Sequence, residues 1–565
     1  MRLRPPAILC AFVVLLLLAL PAVASAQNAS LVPLSLPAGS LDNVPAGFSL
    51  SARAAIRVAD RVPEVRRERA RGPLKASAAI PGYVPDRHRW EVGYERAGKR
   101  LVEIHVSGRS GRVLEVWTGA QVDALLARGY KPSVGGNTLN AAYVWLPLCL
   151  LFLAPFFDPR RPFRLLHLDL LVMLGFGLSQ LFLNRGEIDL SVPLAYPFLA
   201  YLLLRLLLAG FRPRERAGPL VPLVPVRLLL VALVLLCGFR VALNVTDSQV
   251  IDVGYASVVG ADRIVHGEQL YTDNDSHGDA YGPLTYVAYI PFEAVFPTTG
   301  QWDDVPAAHA AALTFDLLTI FGLFLLGRRL RAGPEGRVFG LALAFAWTAY
   351  PYSTYVLQSN TNDGLVAMLL VYALLAAASP PARGALLAVA AAAKFVPLAL
   401  APLFGGGVGE RSRASLLRFA ATFAVVLAAA VFAYLPDGGL REFYNATIGF
   451  QLGRPSPFSL WGLHPGLEPL QSVFKVAAVA LAAVLFFVPR RRDARQLAAL
   501  GAAVIVALEL TATHWFYFYL VWMAPFALVA MLGAYRSEPA PASEPPAAET
   551  LSTPARRFAS SPAGV

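Results

Sequence analysis

The stretch 245–281 holds seven carboxylates, Asp247, Asp252, Asp262, Glu268, Asp273, Asp275 and Asp279, and only one Lys or Arg, Arg263. Carboxylates grouped this way can take a proton from an attacking hydroxyl or ligate a divalent cation. An ordinary hydrated acidic loop has the same composition. Two other groups stand out by context. Lys394 lies in the apolar run 383–403 with Pro397 and Pro402. A charge there is costly, which marks either a functional group or a side chain that snorkels to an interface. His514 stands beside Trp515, Tyr517 and Tyr519, a pattern that reads first as an aromatic belt and second as an anion contact.

Positioning these groups falls to helices in a membrane. Of 565 residues, 56% are hydrophobic and 15% charged, against about 25% charged in a soluble domain. The apolar residues concentrate in blocks of about 20, the length of a helix crossing about 30 Å of hydrocarbon. In lipid the backbone must bond to itself. The expected fold class is an all-α polytopic membrane protein with about 11 transmembrane helices and a small N-terminal α+β extracytoplasmic domain. Spans are expected near 142–157, 165–184, 192–211, 225–244, 305–327, 337–355, 362–378, 414–434, 470–488, 496–512 and 514–534. With the N-terminal domain outside, the clusters at Arg160-Arg161, Arg212 to Arg216, Arg328 to Arg331, Arg383, Arg411 to Arg413 and Arg490 to Arg492 all face the cytoplasm. This requires 282–297 to be an interfacial helix outside, and 383–403 a broken hairpin that enters and leaves on the cytoplasmic side. The formal net charge of +12 follows from these loops. No basic face with interleaved aromatics is present, so nucleic acid is excluded as a partner. Cys10, Cys149 and Cys237 all lie in apolar segments and make no disulfide framework or metal site.

Arg2 and Arg4, the apolar run 7–20 and Ala24-Ser25-Ala26 form a secretory signal pattern over residues 1–26. Residues 27–141 follow as the extracytoplasmic domain. Alternation of period two predicts strands at 90–94, 102–106 and 114–116, with helices near 54–60 and 120–128. Trp90-Glu-Val-Gly-Tyr94 and Gly111-Arg-Val-Leu114 resemble the PepSY type of extracytoplasmic domain. Residues 142–224 read as accessory transmembrane helices and 225–534 as the core. Residues 535–565, rich in Pro, Ala, Ser and Glu, read as a disordered cytoplasmic tail. The expected location is the plasma membrane.

Several short motifs follow in order along the core. They are Asp252-Val-Gly-Tyr255, Gly267-Glu-Gln-Leu-Tyr271 and Tyr281-Gly-Pro-Leu-Thr-Tyr286, then Gln358-Ser-Asn360-Thr-Asn362, Ala391-Ala-Ala-Lys394-Phe-Val-Pro397 and Pro455-Ser-Pro457-Phe-Ser-Leu-Trp461. This series resembles the GT-C superfamily of membrane glycosyltransferases, and within it the polyprenol-phosphate-mannose-dependent group, glycosyltransferase family 87. The resemblance implies a polyprenyl-phosphate sugar donor, mannose by family, and a glycan or glycolipid acceptor outside the cell. It implies Asp252 as general base, and Tyr255, Tyr271, Tyr281, Gln358 and Asn360 as substrate-loop residues. Cationic or hydrogen-bonding groups should hold the lipid phosphate. The candidates are Lys394, Arg454, His464, Lys475 and His514, with Asp262 and Glu268 as secondary carboxylates. Such chemistry requires no cofactor; a divalent metal is compatible with it but not expected. The competing reading is a secondary transporter or lipid-linked-sugar flippase, in which two halves carry broken helices at matched positions. One broken segment is legible here.

Overall fold

The structure, a computed structural model, describes residues 41–79, 89–96, 99–118, 122, 134–184, 187–213, 216–217, 223–271, 280–299, 305–453 and 456–536. The expected signal peptide, the helix near 120–128, Arg454 and nearly all of the expected C-terminal tail lie outside the described residues.

The N-terminal unit is two short helices against one sheet. Ser51 caps Ala52–Ala59 by accepting from the Ala54 amide at 3.3 Å, and Pro63–Ala70 follows with proline in its first turn. Strands β1 (Lys75–Ala79), β2 (Arg89–Arg96), β3 (Lys99–Ser107) and β4 (Val113–Thr118) form an antiparallel meander in sequence order. The register pairs Trp90 with Val106, Val92 with Ile104 and Tyr94 with Val102. All six are buried, together with Ala52, Ala55, Ala59 and Val65. Alternation therefore located β2, β3 and β4. It missed β1, whose Lys-Ala-Ser-Ala-Ala has no large apolar residue to alternate, and the strongly charged helix Pro63–Ala70.

The remainder is helical. Among the described residues six helices are long and apolar enough to cross a membrane: Leu165–Asn184, Ile188–Phe211, Val226–Asp247, Pro306–Leu330, Arg413–Phe432 and Glu468–Phe487. Leu228, Val231, Leu235, Val425 and Val476 point outward from them, the arrangement of a lipid-facing surface. Shorter apolar helices include Asp363–Leu375 and Tyr517–Leu532. Two interhelical ion pairs lock the bundle. Arg240 Nη2 reaches Asp316 Oδ1 at 2.5 Å, and Arg205 Nε reaches Asp169 Oδ1 at 2.8 Å.

The expected single helix 337–355 divides into Gly333–Ala349 and Pro351–Gln358. Tyr350 lies between them at ψ 118°, because the ring of a following proline disfavours helical backbone at the preceding residue. The run 383–403 forms the expected broken hairpin. Pro380–Ala393 ends at Lys394, whose backbone is extended, and Val396–Leu400 and Ala401–Gly406 return. Its two limbs meet at Arg383, which donates to the carbonyls of Phe404 at 2.8 Å and Ala377 at 3.0 Å. The segment 282–297 contains one helix, Pro283–Glu293, that buries Thr285, Tyr286, Tyr289 and Glu293 against its neighbours.

The described part of the acidic stretch, expected as a loop, contains a helix. Residues Asp252–Val265 form a helix with Asp252 at its first position, where the helix dipole favours negative charge.

Candidate active site

Asp252 is held in place by the Gln358 to Asn362 motif. The amides of Gln249 and Ile251 donate to the carbonyls of Gln358 at 3.0 Å and Ser359 at 3.2 Å. Asn360 Nδ2 donates to the Gln249 carbonyl at 2.8 Å and to Ser248 Oγ at 3.0 Å. Asn360 adopts φ +47° to make this turn, a conformation Asn tolerates better than most residues. Gly254 sits so close that a Cβ there would lie 2.2 Å from the Asn360 carbonyl oxygen. Gln358 and Asn360 are fully buried and line none of the described cavities. The Asn360 amide fixes the segment that leads into Asp252, while the Gln358 amide donates to the Arg240 carbonyl at 3.2 Å.

Lys394 is held by the Tyr281 to Tyr286 motif. Carbonyls at a helix C-terminus lack intrahelical partners. Here the Ala393 carbonyl accepts from the Gly282 amide at 3.0 Å and from Thr285 Oγ1 at 2.7 Å. A Cβ on Gly282 would lie 2.0 Å from the Ala392 oxygen, so only glycine lets the two segments touch. The Lys394 ammonium does not snorkel to the basic end of the bundle. It bonds Asp363 Oδ1 at 2.5 Å and faces the rings of Tyr281 at 5.1 Å and Trp522 at 5.3 Å. Asp363 also accepts from Trp522 Nε1 at 3.0 Å and Thr361 Oγ1 at 2.5 Å. Both charged side chains are nearly inaccessible. Asp363 neutralises Lys394 and leaves its remaining protons to point elsewhere.

Two cavities share one wall here. The smaller, of about 60 Å³, is lined by Asp252, Asp363, Lys394 and His514 among others. The larger, of about 380 Å³, is lined by Lys394, Lys475, Glu509, Thr511, Thr513 and His514, with an apolar side made by Val396, Leu452, Val479 and Leu508. Tyr281, Lys394, Gln451, His514 and Tyr519 line both. Leu452 and Val479 are 60% and 65% exposed, so the apolar side of the larger cavity reaches the outer surface of the bundle. His514 shares a hydrogen bond with Ser456 at 2.8 Å and packs edge-on to Phe458. Trp515 and Tyr517 are buried against the accessory helices rather than forming an exposed belt. Two cations, an imidazole and an apolar flank can accommodate a phosphate carrying a hydrocarbon chain, with a carboxylate on the far side of the shared wall.

The other expected site residues fall elsewhere. Asp262 lies near the end of its helix with its carboxylate 3.2 Å from His266 Nδ1, and the Asp262 carbonyl, then its charge, raise the His266 pKa. Glu268 and His464 are exposed, and none of the three lines either cavity. Tyr255 packs against the main core. Tyr271, at φ +66°, donates to the Tyr281 carbonyl at 2.9 Å and lines a third cavity of about 450 Å³ with Arg441, Glu442 and Asn445.

Sequence reasoning missed Asp363, Gln451, Glu509 and Trp522. Asp363 carried a usable signal, because an acid opening an apolar run needs a buried partner, and Lys394 is the cation opposite. Metal-like spacing occurs among the described residues at Glu91, Glu103 and His105, whose ligand atoms lie within 4.8 Å of one another. These sit in the N-terminal sheet, and Arg89 and Arg100 already pair with the two carboxylates.

No curated protein matches the chain. Residues 280–514, which supply Tyr281, Asp363, Lys394, Lys475 and His514, match the family model of glycosyltransferase family 87, and this membrane-embedded segment is thus similar to a family of glycosyltransferases.

Proposed function

We propose that the protein transfers a sugar, with mannose the first to test, from a polyprenyl-phosphate donor to a hydroxyl of a cell-envelope glycan or glycolipid on the extracytoplasmic side. Asp252 takes the acceptor proton as the acceptor oxygen bonds to the anomeric carbon. The bond from that carbon to the phosphate oxygen breaks on the opposite side, so the configuration inverts. The polyprenyl phosphate leaves with the bonding electron pair, its charge met by Lys394, His514 and Lys475.

One observation carries the reading: Asp252 and Lys394 line the same small cavity, which shares a wall with a larger one whose apolar flank reaches the lipid-facing surface. A water-soluble donor would not call for that flank. Asp252 precedes the family-matched segment, so its role rests on geometry and on the order of motifs. The test is transfer from a synthetic polyprenyl-phosphate mannose in detergent by wild type and Asp252→Asn. Loss of a general base lowers turnover about 10²–10⁴-fold. Equal turnover in the two proteins removes Asp252 from that role.

A further inference from the structure

Glu509 is placed against three physical preferences at once. It is 3% exposed, at the end of an apolar helix where an acidic group is costly. It is the last residue of Ala494–Glu509, and a carboxylate at a helix C-terminus meets the unfavourable end of the dipole. Among the described residues its Oε1 has no hydrogen-bond partner, although buried polar atoms are ordinarily paired. The other oxygen accepts from Trp515 Nε1 at 3.3 Å. Stability does not explain such a residue.

Its surroundings hold it still. Beyond the helix end, the carbonyl of Leu510 accepts from Trp461 Nε1 at 2.9 Å, that of Thr511 from Gln471 Nε2 at 2.8 Å, and that of Thr513 from Ser459 Oγ at 2.6 Å. Glu509 thus lines the larger cavity from a braced segment. Asp252 lines only the smaller cavity and Glu509 only the larger, with Lys394 and His514 in the wall between.

We propose that Glu509 accepts a hydrogen bond from a ring hydroxyl of the donor sugar and so sets which sugar the site takes. This rests on the polyprenyl-phosphate transferase reading and adds a specificity-determining residue to it. One oxygen is pinned by the indole, and the other is an acceptor with no donor in the protein. A polyhydroxylated ring supplies that donor. An ionised phosphate does not, because its oxygens are acceptors.

The test measures binding of two lipids to purified protein, polyprenyl phosphate and polyprenyl-phosphate mannose, in wild type and Glu509→Gln. A hydrogen bond between a ring hydroxyl and a buried carboxyl is worth roughly 10–100-fold in affinity. Glu509→Gln should lose that much for the glycosylated lipid and less than about twofold for the bare phosphate. Equal loss for both lipids would assign Glu509 to the phosphate or to folding and overturn the proposal. A second measurement needs no variant: wild-type turnover with single-deoxy donors. One deoxy position should cost at least about tenfold in kcat/KM, and a flat series would overturn the proposal. If wild type binds neither lipid, the donor class itself is wrong and the inference falls with it.

Discussion

Replacing Asp363 by Asn should destabilise the protein by about 3–5 kcal/mol, the range for a buried ion pair that loses one partner. Asn keeps the shape of the side chain but only one oxygen, whereas Trp522 Nε1 and Thr361 Oγ1 now donate to different carboxylate oxygens, at 3.0 and 2.5 Å. The substitution therefore removes the charge and one of these two acceptors, which the Thr361 hydroxyl can meet by turning to accept from the new amide. The side chains of Lys394 and Asp363 are 8% and 2% exposed, so water cannot take the place of the lost carboxylate. The remedy for an uncompensated ammonium is to remove it, and Asp363→Asn with Lys394→Met should recover most of the loss. Coupling between the two sites should reach about 2 kcal/mol or more. Unfolding by SDS titration in mixed micelles, run on both single variants and the double variant, yields the cycle. Transfer activity should separate from stability, because the double variant refolds the pocket without its cation and stays inactive. A single-variant cost below about 1 kcal/mol, or a double variant no more stable than the worse single, would show that the pair is not a buried charge couple and would remove Lys394 as a fixed phosphate contact.

Gly254→Ala places a methyl 2.2 Å from the Asn360 carbonyl oxygen. The start of the Asp252 helix must move, with an expected cost of about 1–3 kcal/mol and a fall in kcat of roughly 10²-fold; unchanged turnover would detach Asp252 from the Gln358 to Asn362 clamp. Gly282→Ala meets the Ala392 oxygen at 2.0 Å and should open the contact that seats Lys394, read as weaker binding of polyprenyl phosphate. In the N-terminal sheet, burial raises the Glu103 pKa, but His105 and Arg100 outweigh it and hold the carboxyl below its usual 4.5. A depressed folded value contributes stability above pH 4.5 that is lost as pH falls through that folded value. Hydrogen exchange of β2 and β3 amides, corrected for intrinsic rates, should show acid-side loosening in wild type and a flatter profile in Glu103→Gln.

What was legible in the sequence follows from which forces act locally. Hydropathy blocks located the long helices, since burial in lipid demands an unbroken apolar run. Lys394 was legible as an anomaly and the hairpin around it as a break. Its partner was legible only in combination with it, because Asp363 opens a helix and on its own reads as an ordinary first-turn acid. The burial of Gln358 and Asn360 was not legible for a related reason. An amide's type does not reveal whether it faces a cavity or a neighbouring backbone, and here the Asn360 amide holds Ser248 and Gln249 while the Gln358 amide donates to the Arg240 carbonyl. The helix at 252–265 was hidden by the count of acids around it, although only Asp252 and Asp262 fall inside it. Tyr350-Pro351 was a boundary signal that an apolar window averages away.

The short helices explain why the site lies where it does. Asp363–Leu375 has 13 residues and Pro380–Ala393 has 14, so each is about 20 Å long, less than the thickness of a hydrocarbon core. A helix that stops within the membrane leaves carbonyls that lipid cannot satisfy. Such a stop survives only where protein supplies donors, as Gly282 and Thr285 do at Ala393. The same stop exposes an extended residue at depth, and this chain places its Lys394 there. An apolar residue would have served the fold better, and Asp363, Trp522 and Thr361 are all engaged in keeping the ammonium tolerable. Charge retained at that cost, beside a cavity, marks a functional rather than a structural residue, which is what the proposed phosphate contact requires.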